Sequence, residues 1–170
     1  MADFPTIRGI RHELVRRECP IVEAGRLTPA MIRLVVAGEA LAGFASAGFD
    51  DHVKLMFPQA DGAIERRDFT PRRFDAARNA LTLDFVDHEG GPAADFARAA
   101  RVGGMLGLGG PRGSRVIEGD IPHWLLIGDE TALPAIGRKI EETGPGVVVT
   151  SLVAVPGAAD EQAFETQAAL

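Results

Sequence analysis

Apolar and polar positions first alternate in short runs and later recur at helical spacing, and the change falls near residue 119. Residues 1 to 13 are mixed in charge without periodicity and read as an arm or frayed start. From Leu14 to Leu27 and from Met31 to Ala37, apolar and β-branched residues predict two strands joined around Leu27-Thr28-Pro29. Gly38 to Gly48 reads as a connection with a single helical turn. Asp51 to Phe57 predicts a third strand, with Val53, Leu55 and Phe57 alternating against His52, Lys54 and Met56, and Pro58 ends it. The stretch Arg67 to Asp75 predicts a fourth strand, Leu81 to Val86 a fifth, and Met105 to Leu108 a sixth. Between the last two, Pro92 to Arg101 has helical spacing, with Phe96, Ala97 and Ala100 free to pack. Six strands with one helix suit a small antiparallel barrel over residues 1–119.

Beyond Gly119, Trp124 to Ile127 is a compact apolar strand. Thr131 to Thr143 is helical, with Leu133, Ile136 and Ile140 along one face and Gly144-Pro145-Gly146 stopping it. Val147 to Val155 is another buried-type strand. Strand, helix, strand makes one parallel βαβ unit, the first of an incomplete α/β nucleotide-binding domain over residues 120–170. The expected fold class is therefore mainly β.

Candidate chemistry gathers in Arg67-Asp68-Phe69-Thr70. On a strand, Arg67, Phe69 and Thr70 are expected to leave from one face, and together they suit a flavin dinucleotide. The guanidinium pairs with a phosphate, the ring lies against the isoalloxazine, and the threonine reaches its polar edge. The turn Gly90-Gly91-Pro92-Ala93 opens a helix whose N-terminal amides suit a second phosphate.

Composition narrows the classes. A net charge of −6 argues against general nucleic-acid binding, yet Arg66, Arg67, Arg72, Arg73 and Arg78 cluster in one segment, which suggests a small anionic ligand. The single cysteine, Cys19, excludes an internal disulfide and accords with a reducing compartment. No signal peptide is evident, and the run Val147 to Val155 is too short to span a bilayer, so a soluble cytoplasmic protein without membrane contact is expected. His12, His52, His88 and His123 are scattered, without the spacing of a metal site. Gly107-Leu108-Gly109 begins like a dinucleotide fingerprint, but Arg112 occupies the third glycine position. Asp129 or Thr131 is expected to cap the second helix.

The succession Arg67-Asp68-Phe69-Thr70-Pro71-Arg72, Asp84-Phe85-Val86-Asp87-His88, Gly91-Pro92-Ala93, Gly110-Pro111-Arg112-Gly113-Ser114 and Gly128-Asp129-Glu130-Thr131-Ala132-Leu133-Pro134 resembles the siderophore-interacting protein family. These are flavin-dependent ferric-siderophore reductases, distant relatives of the ferredoxin–NADP reductases. The resemblance implies FAD as cofactor, NAD(P)H as electron donor and a ferric siderophore as substrate. It places cofactor contacts at Arg67, Phe69, Thr70, Asp84, Val86, His88, Gly91, Pro92, Ala93, Ala94, Asp129, Thr131 and Ala132. Basic substrate contacts would fall at Lys54 and Arg112, with Arg115 a further residue that can face an anion. No side chain is expected as a catalytic acid, base or metal ligand. Phe69 stands where the family usually has tyrosine, and the chain contains no tyrosine. Two other readings fit the same residues: a flavin- or siderophore-binding module reduced by a separate partner, and a general flavin–NAD(P)H oxidoreductase.

Overall fold

The computed structural model describes residues 4–170. The chain runs β1 (Thr6–Arg11), β2 (Arg16–Thr28), β3 (Met31–Ala37), a 3₁₀ turn (Glu39–Leu41), β4 (Val53–Pro58), β5 (Ile64–Phe69), β6 (Arg73–Asp75) and β7 (Ala80–Val86). It continues through α1 (Pro92–Ala99), β8 (Met105–Gly109), β9 (Gly113–Glu118), β10 (His123–Asp129), α2 (Leu133–Glu142) and β11 (Val148–Ala154). Seven strands form one antiparallel sheet in the order β5-β4-β8-β2-β3-β7-β6. β1 and β9 form a separate antiparallel pair, and β10 and β11 a parallel one.

Strict alternation builds the main core. Val53, Leu55 and Phe57 on β4, Leu81, Leu83 and Phe85 on β7, and Leu106 and Leu108 on β8 all turn inward and are buried. Each such side chain is worth about 1.5–3 kcal/mol relative to exposure. The sheet curls strongly around them. Phe69, on edge strand β5, has its ring centroid 4.4 Å from that of Phe85 on β7, although four strands separate β5 from β7 in the ladder order. Helix α1 fills the remaining opening, with Phe96 packed 5.4 Å from Phe57. The hydrogen-bonded ladder itself does not close, because β5 and β6 are its two edges.

That arrangement corrects the expected fourth strand. Residues 67–75 are not one strand but the end of β5 and the whole of β6, which lie on opposite edges of the sheet. Pro71 has no N–H to donate, so the ladder breaks there and Thr70-Pro71-Arg72 carries the chain across. The N-terminal segment is no loose arm either. Among residues 4–13, β1 pairs residue for residue with β9, from Thr6 opposite Glu118 to Arg11 opposite Gly113. Six of these residues thus find their hydrogen bonds more than a hundred positions away, beyond the reach of local periodicity. Residues 1–3 lie outside the described part.

In the second unit, α2 covers one face of the β10–β11 pair through Leu126, Ile136, Ile140 and Val149. The C-terminal segment then returns across the sheet: the Ala30 N–H donates to Asp160 Oδ1 at 2.7 Å, and Ala169 forms a parallel bridge with Val148. The opposite face of the pair, with Leu125, Ile127 and Leu152, is exposed.

Candidate functional site

A cleft of about 450 Å³ opens where the edge of β5, the end of β7 and the first turns of α1 and α2 meet. Its walls are Arg67, Asp68, Phe69 and Thr70 on one side and Asp84, Val86 and His88 on another. The turn Gly90-Gly91-Pro92-Ala93 closes its end, and Thr131 and Pro134 face it from the second unit. Ten of the thirteen cofactor positions expected from the sequence therefore line one cavity.

Each wall has a local cause. On β5, Arg67 and Phe69 stand opposite Leu55 and Val53 and so share the inward side. Thr70, next to Phe69, would point away on a continuing strand; it reaches the same cleft because β5 ends at Phe69. The expectation of three residues alternating on one strand is corrected in that respect. Phe69 is only partly buried and rests on Phe57 and Phe85, which leaves an apolar surface on the cleft. Arg67 is half-exposed, tied to Glu65 at 3.2 Å and to the Arg66 carbonyl at 3.0 Å. Those exposed contacts contribute little stability and leave it free to turn to another anion.

The turn into α1 is held from both ends. Asp87 accepts from Arg98 and Arg26, and these two hydrogen bonds keep its carboxyl below the ordinary range. Gly90 has φ 77°, a conformation that favours glycine. At Gly91 a Cβ would lie 2.6 Å from the His88 ring, so the histidine folds over bare backbone. Pro92 occupies the first helical position. The following amides, of Ala93 and Ala94, begin the helix without acceptors of their own. The Ala94 side chain is buried, so only its backbone faces outward.

Asp84 lines the cleft but is nearly all buried, and Arg33 grips its carboxylate with two bonds of 2.7 and 2.8 Å. Asp129 does not cap α2. The helix begins after Ala132, and Asp129 Oδ1 accepts instead from the Thr131 amide and hydroxyl at 2.9 and 2.5 Å. These bonds, the hydroxyl's first, lower its carboxyl below the usual value and fix the turn that presents Thr131. Ala132 sits against Gly128, whose added Cβ would lie 2.5 Å from the alanine's own, and belongs to the second core rather than to the cleft wall.

Lys54 and Arg112 line a different hollow, of about 130 Å³, on the outer face of β4 and β8. Arg16, His52 and Arg66 share it, together with Leu14, Met56, Gly109 and Gly110. Lys54 pairs with Asp68 at 2.7 Å. Because Asp68 also lines the larger cleft, that ion pair stands between the two cavities. Arg115 lies on β9, in neither cavity. Reading β4 and β5 as a registered pair would have found Asp68 and Arg66, since they face Lys54 and Met56. Among the described residues, no three His, Cys, Asp or Glu side chains cluster as a metal site, and no helix is long and apolar enough to cross a membrane.

A curled antiparallel sheet with a cleft at its open edge, followed by a βαβ unit, is the fold of the ferredoxin–NADP reductase type. The ferredoxin–NADP⁺ reductase from Plasmodium falciparum overlays with a TM-score of 0.61 at 13% identity, over 86% of this chain and 65% of that one. The family assignment is more specific. The siderophore-interacting FAD-binding domain profile matches residues 20–66 and 63–115, and the siderophore-interacting protein profile matches 121–170. The chain belongs to the siderophore-interacting protein family. A siderophore utilization protein from T. fusca overlays with a TM-score of 0.88 at 37% identity, covering 96% of this chain and 69% of that one. The NADPH-dependent ferric-chelate reductase of Escherichia coli is 36% identical over 167 residues, 86% of this chain and 65% of the relative. The chain thus spans about two thirds of that relative's length.

Proposed function

We propose that the chain binds FAD in the large cleft and serves in the flavin-dependent reduction of ferric siderophores, releasing Fe(II) for iron acquisition, with electrons from NAD(P)H. The observation that most supports this is the convergence of Arg67, Phe69, Thr70, the Gly91–Ala93 turn and Thr131 on one cavity, which combines cationic, apolar and hydroxyl surfaces. The residues fit a dinucleotide. Arg67 and the amides of Ala93 and Ala94 are two separate phosphate-binding devices. Phe69 offers a ring face, and Thr70 a hydroxyl beside it. Asp84, Val86 and His88 form the wall for the dinucleotide portion, while Asp129, Thr131 and Ala132 build the junction side. When bound, FAD supplies the redox chemistry, taking electrons in pairs from a nicotinamide and passing them singly to iron. The protein's share is to bind, orient and exclude water. Lys54 and Arg112 draw the anionic chelate to the flavin's neighbourhood, and the iron keeps its own ligands throughout.

In this reading residues 1–119 form an FAD-binding barrel, with β5 and β6 flanking its open seam, and residues 120–170 a partial NAD(P)H-binding domain. The setting is the cytoplasm, where Cys19 stays reduced. A second reading is favoured by the bare apolar face of β10 and β11: a flavin-binding module that receives its electrons from another protein.

One assay separates the two. Purified protein is mixed with FAD, NADPH and a ferric siderophore in the presence of ferrozine as an Fe(II) trap. Fe(II) release dependent on both FAD and NADPH supports the reductase. Release only after chemical reduction of the bound flavin supports the module, and no release from protein carrying reduced flavin overturns both.

A further inference from the structure

The cleft has two walls from different parts of the chain, and something must fix the distance between them. The β5–β7 wall belongs to the curled sheet, whereas Thr131 and Pro134 belong to the turn and helix of the second unit. Two buried arginines join the parts. Arg72, only two residues beyond Thr70, donates to Glu141 on α2 from Nη1 at 2.8 Å and from Nη2 at 2.6 Å. Arg138, on α2, reaches back: its Nη1 donates to Ser46 Oγ at 2.8 Å and to the Pro71 carbonyl at 3.0 Å, and its Nη2 to the Ser46 carbonyl at 2.9 Å. Arg72 and Arg138 are 5% and 8% exposed.

Their surroundings are shaped for this crossing. Helix α2 carries a glycine, Gly137, where Arg72 passes. A Cβ there would lie 3.1 Å from Arg72 Nη2 and 2.5 Å from the Phe164 ring. Phe164 in turn lies over the guanidinium, 5.9 Å from ring centroid to Cζ. Arg72 Nε has no hydrogen-bond partner and stands 3.9 Å from Asp84 Oδ2, the carboxylate that lines the cleft. An ionic chain thus runs Arg33–Asp84–Arg72–Glu141, from cleft wall to helix. Buried bidentate pairs of this kind add geometry more dependably than stability.

We infer that Arg72 is a positioning residue for the flavin cleft: by locking α2 to the strand end that carries Phe69 and Thr70, it sets the spacing at which Thr131 and Pro134 face the β5–β7 wall. This rests on the flavin reading of the cleft. Arg72 touches no cofactor itself. It acts through Glu141 and through the chain segment it terminates, so its loss widens the cleft without removing any lining group.

The test compares FAD affinity, by flavin fluorescence titration, with backbone exchange at residues 129–134 in the protein without flavin. Arg72→Gln is expected to weaken FAD binding about tenfold, as small misplacements of a binding wall do. It should also speed amide exchange across 129–134 while Trp124 fluorescence reports a folded second unit. Arg72→Lys keeps the charge but not the fork, so an intermediate loss is expected. Should Arg72→Gln fail to fold, Glu141→Ala removes the same bonds from the other side and is read identically. Unchanged affinity and exchange in the variants, with wild type binding FAD, overturns the inference. If wild type binds no FAD, the flavin reading fails instead, and the exchange data alone decide whether the clamp holds the turn.

Discussion

The two parts of this molecule treat their apolar residues in opposite ways. In the curled sheet, inward side chains from all seven strands and α1 meet in one core, and Leu55, Leu83, Phe85 and Leu108 are fully buried. In the β10–β11 pair, α2 covers one face only. Ile127 and Leu152, on the other, are 66% and 58% exposed. Parallel strands are ordinarily buried on both faces. The sheet is therefore a finished scaffold able to hold a cleft rigidly, whereas the parallel pair is half of a layer, held in place by its dock against the sheet. The cleft lies across that dock, so its precision depends on the interface as much as on either part.

The sharpest way to expose the contrast begins in the sheet, with one residue of its core and one of its cleft wall. Phe85→Ala, which removes one of the two rings that Phe69 rests on, is expected to cost about 3–5 kcal/mol in denaturant unfolding. It should also weaken flavin binding, because Phe69 loses its support. Arg67→Ala leaves stability nearly unchanged but removes a charged hydrogen-bonding group from the cleft. An affinity loss of about 1.5–3 kcal/mol in an FAD titration is expected.

A smaller effect tests the dock. Arg72's hydrogen bonds hold the Glu141 carboxyl below its ordinary value, with burial opposing them. A depressed folded-state pKa contributes stability that is complete above the unfolded value of about 4.3 and is lost as pH falls through the folded one. Thermal unfolding followed between about pH 5 and pH 3 should therefore decline less steeply in Glu141→Gln than in wild type. Smallest of all, Ile127→Lys on the bare face should shift stability by less than about 0.5 kcal/mol. A large loss there would mean that the face is covered in solution and that the contrast is false.

Much of this was legible in the chain, and the rest was hidden for identifiable reasons. Strands with strict alternation, such as Val53-Lys54-Leu55-Met56-Phe57, announce both their extent and their inward side. The βαβ unit also declares itself, although α2 is shorter than its apolar spacing suggests because the Gly128–Ala132 turn takes up its first residues. The segment from Arg67 to Asp75 misleads. Its composition looks continuous, and only the ladder order shows that Pro71 parts two edges of a sheet. β1 was invisible because its partner is β9, far away in sequence. The cleft-lining positions were legible through local motifs, since each wall of the cleft is a contiguous run. The Lys54–Asp68 pair and the Arg72–Glu141 clamp were missed because they depend on cross-strand register and on docking, which no local pattern encodes. Asp84 shows a mixed case: its place on the cleft follows from the motif, its commitment to Arg33 does not.

The central claim, a flavin held between the sheet edge and the α2 turn, is tested most directly by titrating FAD into the purified chain while following flavin fluorescence. Saturable binding with one flavin per chain, strongly weakened by Arg67→Ala and by Phe69→Ala, is the expected result. No saturable binding to the wild-type chain, or binding indifferent to both substitutions, would contradict it.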